Sequence, residues 1–286
     1  MFAHKEEATI ARCLTSLPDS VDGDALAITV IANGCTDATV QTVEKIAAKH
    51  ANVQLTTLEV GDKPDAWNHF VHHGSLGTRA CVFTDADVRI TPGSLEYLLQ
   101  TLERHHSLNA VTAVPKTGWS RHRWTAELKN NQTIAGGLYM LRPKFVQRLR
   151  SRQIRLPTAV SCDDAVIAML ARTNLGELGD LPGNTIFADQ RAGFLIDPLS
   201  PLRLTNWRTY FERKLRKSLE THHKNMLGEF LVHGRRTPEE LPAHIEDCYQ
   251  SWLDSDEPRW LGGNAWFNWR SLKFIKRRCR LRQPSQ

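Results

Sequence analysis

Two aspartates one residue apart, Asp85 and Asp87, stand in the stretch ACVFTDADVRITP at Ala80–Pro92. Four mostly apolar residues, Cys81 to Thr84, precede them and read as a buried strand. A strand interior cannot hold two ionised carboxylates without partners, so Asp85-Ala86-Asp87 is expected at the strand's carboxyl end, facing a cleft. Two acids there suit a hard cation. Mg²⁺ and Mn²⁺ take oxygen ligands, commonly one or two carboxylates completed by phosphate oxygens of a substrate. A second acidic pair, Asp163-Asp164, opens a short helical pattern with Val166, Ile167 and Leu170. Aspartate in that place is either a helix cap, worth about 1 kcal/mol, or a carboxylate poised to take a proton.

The elements that must position these groups follow from hydrophobic spacing. Ile10, Cys13, Leu14 and Leu17 predict a helix within Glu6–Leu17, and with only MFAHKE before it a first strand is expected to be missing. Ala25–Ala32 predicts a strand, Asn33-Gly34 a tight turn, and Val40, Val43 and Ala47 the face of a crossover helix. Val53–Val60 predicts a third strand, and Gly61–Phe70 a loop entering a short helix. After the Ala80–Thr84 strand, Thr91 is expected to cap and Pro92 to occupy the first turn of a helix striped by Leu95, Leu98, Leu99 and Leu102. Asn109–Val114 completes the series as a strand. Strands alternating with helices predict an α/β fold, a mainly parallel sheet covered on both faces, whose ligands lie beyond the strands' carboxyl ends. Past residue 115 the pattern loosens, until residues 206–227 predict a long basic helix. The boundaries read as 1–115 and 116–227 for two halves of one domain, and 228–286 for a helical appendage.

Bulk composition narrows the setting. The chain has 286 residues, 41% of them hydrophobic, enough for a sizeable core, and a net charge of +6 that favours anionic partners. No apolar run approaches the ~18 residues of a membrane span, and the charged start MFAHKEEATI lacks a signal-peptide apolar region, so the chain is expected inside the cell. Six cysteines without a CxxC pair read as reduced thiols, and twelve histidines without an HxH or HExxH cluster give no metal assignment. The tail from Leu261 to Gln286 carries seven basic side chains and no acidic one, interleaved with Trp266, Phe267, Trp269 and Phe274. An acidic membrane surface on the inner face of the cell membrane suits that mixture better than nucleic acid or a merely packed helix, and no specific nucleic acid partner is expected. The sequence carries no signal for an oligomeric state.

Taken together, the motifs resemble the family 2 glycosyltransferases of the GT-A fold over roughly residues 2–220. Phe2-Ala3-His4-Lys5-Glu6-Glu7 is similar to the family's PAHNEE-like opening, and Ala32-Asn33-Gly34-Cys35-Thr36-Asp37 to its DNGSTD loop, with Ala32 where an acid often meets uracil. Asp62-Lys63-Pro64-Asp65-Ala66-Trp67-Asn68 resembles the GK…ALN segment, Asp85-Ala86-Asp87 the metal motif, Ala135-Gly136-Gly137 the acceptor segment, and Asp163-Asp164 the acidic motif of the catalytic base. Arg213 to Lys217 loosely resembles QxxRW, which argues against a processive synthase.

The resemblance implies an inverting, metal-dependent glycosyltransferase moving a sugar from a nucleotide-sugar to an acceptor hydroxyl on a glycan or lipid-linked acceptor, in glycan, polysaccharide or glycolipid synthesis. It implies Mn²⁺ or Mg²⁺ on Asp87 and Asp85, Asp164 or Asp163 as base, and a donor, UDP-sugar first and GDP-sugar second, held by Ala3, His4, Glu6, Asn33, Lys63, Asp85 and Arg216. Arg213, Arg216, His222 and His223 stand as candidates for a lid over the diphosphate. Two rivals remain. Asp85-Ala86-Asp87-Val88 also fits the DxDxV nucleophile motif of haloacid dehalogenase-type phosphohydrolases, although two or three strand–helix units precede it here. The other rival is a noncatalytic basic protein that binds membrane or nucleic acid.

Overall fold

The computed structural model describes residues 1–17, 26–76, 79–176, 183–197, 205–232, 235–255 and 264–282. Strand and helix alternate from the start: β1 (Phe2–Ala3), α1 (Ile10–Ser16), β2 (Ile28–Asn33), α2 (Thr39–Ala47), β3 (Val53–Leu58), α3 (Lys63–His73), β4 (Cys81–Thr84), β5 (Val88–Ile90), α4 (Ser94–Arg104) and β6 (Ala110–Pro115). The second half continues with α5 (Arg121–Asn130), β7 (Leu138–Leu141), α6 (Pro143–Ser151), α7 (Asp163–Arg172), β8 (Ile186–Ile196), α8 (Thr205–Val232), α9 (Tyr249–Asp254) and α10 (Ala265–Arg282). Ala25, at the edge of an expected strand, lies outside the described residues, as do 261–263 and 283–286 of the tail.

Three strands form one sheet in the order β1-β2-β3 and five another in the order β4-β7-β6-β8-β5. A parallel bridge between Phe2 and Asp85, with the Ala86 amide donating to the Phe2 carbonyl at 3.1 Å, joins the two edges. Strands β1, β2, β3, β4, β6 and β8 share one direction, and β5 and β7 run against them. The first strand expected to be missing is present: Phe2 and Ala3 pair with Ile31 and Ala32.

Period-two alternation sorts the core into two layers. Phe2, Ile31, Phe83, Tyr139 and Ala110 face one cluster, which the C-terminal residues Tyr249, Trp252 and Ile275 join. Ala3, Val30, Leu138, Met140 and Val111 face the other, against α1 and α4. The helix after β5 begins later than its Thr91-Pro92 signal: Gly93, at φ +72°, is the cap residue and α4 starts at Ser94. Thr91 still serves the turn, its hydroxyl 2.7 Å from the Ser94 hydroxyl, while strand β8 draws the Thr91 amide to Gly193.

Candidate active site

The loops after β1, β2 and β4 meet at one end of the sheet, as the carboxyl-end rule for parallel strands requires. His4 sits after β1 with Nδ1 2.6 Å from the Asn33 carbonyl, and the Asn33 side-chain amide donates to the Ala3 carbonyl at 3.0 Å. Ala3 and Ala32 are buried, so neither presents a side chain to the cleft. The turn after β2 needs its glycine. Gly34 has φ +58°, and a Cβ there would lie 2.4 Å from the Gly61 nitrogen.

Acidic side chains brace these loops. Glu7 accepts from the Ala38 amide at 2.9 Å, and Asp37 accepts from the Thr39 amide at 3.2 Å and its hydroxyl at 2.6 Å. Glu6 takes the Thr9 hydroxyl at 2.6 Å; its carboxyl is raised above the ordinary range, by burial first and by Asp87 and Asp85 as well.

Lys63 is the centre of the site. Its Nζ lies 2.7 Å from Asp85 Oδ1, at the end of β4, and 3.2 Å from Asp163 Oδ2, in the first turn of α7. Burial works to lower the Lys63 pKa; the carboxylates of Asp163 and Asp85 outweigh it and hold the ammonium well above its ordinary value. Burial raises Asp85 against the pull of Lys63. Gly136 makes room for this group, because a Cβ there would stand 2.9 Å from Lys63 Nζ and 3.2 Å from Asp85 Oδ2. Helix α3 is set by Asp62, which caps it through the Asp65 amide at 3.2 Å and reaches the Ala159 amide at 2.5 Å. Asn68 exchanges two bonds of 2.8 Å with the backbone of Leu156, fixing the segment that leads to Asp163.

The two aspartates of α7 divide. Asp163 turns to Lys63, whereas Asp164 lines a cavity of about 250 Å³ together with Trp124, Glu127, Asn131, Lys217 and Lys224. Burial first, and Asp163 second, push the Asp164 carboxyl up to about 6, with Lys63 and Lys224 opposing. A carboxyl near that value can accept a proton from an incoming hydroxyl at neutral pH.

Among the described residues no group of three or more His, Cys, Asp or Glu is arranged to hold a metal ion. That donor set fits a cation completed by substrate oxygens rather than a closed protein cage. Asp87 fits the role: among the described residues its carboxylate has no hydrogen-bond or ion-pair partner, and it lies two residues beyond Asp85, just before β5.

Several candidates are placed elsewhere. His222 and His223 are fully buried, so neither is available to close over a diphosphate. His223 accepts from the Ser161 amide and lies 3.0 Å from the Tyr249 hydroxyl, and burial lowers it to about 4. Arg213 and Arg216 are exposed on α8; Lys217 and Lys224 of the same helix, also exposed, border the cavity. Sequence reasoning named Lys217 only as the last position of the QxxRW-like stretch and passed over Lys224; their seven-residue spacing, two helical turns, was the available signal.

The sequence profile of the family described as glycosyl transferase family 2 matches residues 1–171, and the chain belongs to that family. Its fold is that of GT-A glycosyltransferases. The mannosyltransferase PcManGT from Pyrobaculum calidifontis, in complex with GDP-Man and Mn²⁺, superposes with a TM-score of 0.59 at 17% identity, covering 100% of this chain and 74% of that one. TarS 1–349 from S. aureus in complex with UDP gives a TM-score of 0.53 at 18% identity over 88% of this chain and 69% of that one. The same TarS segment with UDP-GlcNAc gives 0.51 at 16% identity, covering 88% of this chain and 70% of that one. A search of curated proteins by sequence found no match.

Proposed function

We propose that the protein transfers a sugar from a nucleotide-sugar to an acceptor hydroxyl with inversion at the anomeric carbon. The observation that carries this reading is the split of the α7 pair: Asp163 is tied through Lys63 to the Asp85 end of the sheet, and Asp164 alone faces the open cavity. Residues 1–115 serve the donor and 116–227 the acceptor and the base, with 228–286 as the appendage. Asp87, with Asp85 beside it, would hold Mn²⁺ or Mg²⁺, which when bound neutralises charge developing on the diphosphate leaving group.

The ligands bound by the structural neighbours, GDP-Man with Mn²⁺ in one and UDP or UDP-GlcNAc in the other, support a UDP- or GDP-sugar donor. Lys63, 2.7 Å from Asp85, opposes the burial that raises its carboxyl and orients it toward the donor. The loops carrying His4 and Asn33 shape its nucleotide end. Asp164 takes the acceptor proton as the hydroxyl attacks from the cavity side, opposite the leaving group.

Association with an acidic membrane surface on its inner face completes the reading. Trp266, Trp269 and Phe274 of α10 are exposed, and α10 bears Arg270, Lys273, Lys276 and Arg277 without an acidic residue. Phe211 of α8 extends the patch, 6.3 Å from Trp266 and 6.0 Å from Phe267 between ring centroids. Among the described residues no helix is long and apolar enough to cross a membrane. An acceptor that is a glycan or is lipid-linked suits such a surface.

Turnover of UDP- and GDP-sugars, by transfer or by hydrolysis, measured with and without Mn²⁺ in the wild type and in Asp164→Asn, tests the chemistry. Mn²⁺-dependent release of nucleoside diphosphate, with transfer lost in the variant, is expected; release of phosphate from a simple phosphomonoester instead would favour a phosphohydrolase.

A further inference from the structure

The cavity holding Asp164 is separate in its lining from the donor end of the site, since neither Lys63, Asp85 nor Asp87 borders it. Three positive side chains do: Arg172, Lys217 and Lys224, against Glu127 and Asp164. Lys217 also reaches Glu220 at 3.2 Å, but Lys224 has no hydrogen bond or ion pair among the described residues. Arg172 donates to the Asn131 carbonyl at 3.3 Å through Nη1, leaving its Nε buried without a partner among the described residues. Lys217 and Lys224 project from one face of α8, about 10 Å apart along its axis, a separation that two four-carbon stems can close around one tetrahedral anion.

Two ammonium groups and a guanidinium beside the Asp164 carboxylate, with Lys224 unpaired among the described residues, suit an anionic acceptor, because ammonium and guanidinium groups form their strongest hydrogen bonds with oxyanions. They also counter the Asp164 charge that would otherwise repel an anion.

Resting on the glycosyl-transfer reading, we infer that the acceptor carries a phosphate group, held by Lys217 and Lys224 so that its hydroxyl reaches Asp164. Two sources share this chemistry, a soluble phosphate ester and a phospholipid headgroup. The aromatic patch starts on the same helix: Phe211 precedes Lys217 by six residues, about 9 Å along the axis, so a headgroup at a membrane surface would lie within reach of the cavity.

Isothermal titration of the full chain, with the donor side filled by UDP or GDP and Mn²⁺, tests the inference with inorganic phosphate and glycerol 3-phosphate as soluble probes. Vesicles of phosphatidylcholine containing phosphatidic acid, compared with phosphatidylcholine alone, form the lipid arm. Saturable phosphate binding is expected, weakened about tenfold in Lys224→Ala and further in the double Lys217→Ala/Lys224→Ala variant, and largely restored in Lys224→Arg. Competition by glycerol 3-phosphate alone assigns a soluble acceptor, and competition by the phosphatidic acid vesicles alone a lipid-borne one. Nucleotide affinity falling in step with phosphate affinity would move the lysines to the donor diphosphate and overturn the inference. A chain that binds nucleotide and Mn²⁺ but not phosphate sinks this inference alone; one that binds neither sinks the glycosyl-transfer reading with it.

Discussion

At the residue scale the site is organised by charge compensation around one lysine. Lys63 bridges two carboxylates far apart in sequence, and that pairing has no local sequence signal, which is why Lys63 reads from sequence as no more than a motif position. Asp85 and Asp87 were legible because two acids ending an apolar run have few structural explanations. Asp164 carries the sharper expectation. Its carboxyl, near 6 in the folded chain against an ordinary 3.8, holds its proton more tightly when folded, so stability falls as pH rises from about 4 to 6. Asp164→Asn removes that cost. We expect the variant to be more stable than wild type at pH 7 by about 1–2 kcal/mol in urea unfolding while transfer falls at least about a hundredfold, the pattern of a site that trades stability for activity. Wild-type kcat/KM should rise with pH through an acid limb near 6. A variant both less stable and still active would remove Asp164 as the base.

At the element scale the short parallel strands and their turns were readable, and strand direction later in the chain was not. Hydrophobic periodicity marks neither β5 nor β7 as a strand, because three and four residues are too few to show a period, and their direction against their neighbours is fixed only by pairing with β4, β6 and β8. Pro92 likewise signals a helix start, yet tertiary pairing of Thr91 to Gly193 delays it to Ser94. Turn chemistry gives a direct test. Gly34→Ala must hold a side chain at φ +58° and push a Cβ into the Gly61 backbone, so it should cost about 2–3 kcal/mol and weaken nucleotide binding together, measured by chemical denaturation and titration. An unchanged midpoint would show that the two turns do not pack as described. Helix α8 makes a second expectation through His223. Its folded value near 4 lies below its unfolded value near 6.5, so the unfolded chain binds the proton first and stability falls as pH drops from about 6.5 towards 4, by up to about 3 kcal/mol. His223→Gln should flatten that slope whatever it does to absolute stability.

At the scale of the whole molecule, the C-terminal helices are tied into the fold through Tyr249, Trp252 and Ile275, which share a core cluster with Phe83 and Tyr139. Composition showed the basic and aromatic character of residues 261–286 but not that α8 joins the same surface, since Phe211 is brought to Trp266 only by packing. In the proposed function a divalent ion on Asp87 completes the nucleotide site. Thermal unfolding with UDP, GDP, CDP and dTDP, with and without Mn²⁺, in wild type and Asp87→Asn, tests that most directly, because a ligand bound only by the folded chain raises stability with the logarithm of its concentration over Kd. Wild type should gain several degrees from a nucleoside diphosphate only when Mn²⁺ is present, with Asp87→Asn folded but unresponsive. Stabilisation by none of the four, or equal stabilisation of the variant, would contradict it.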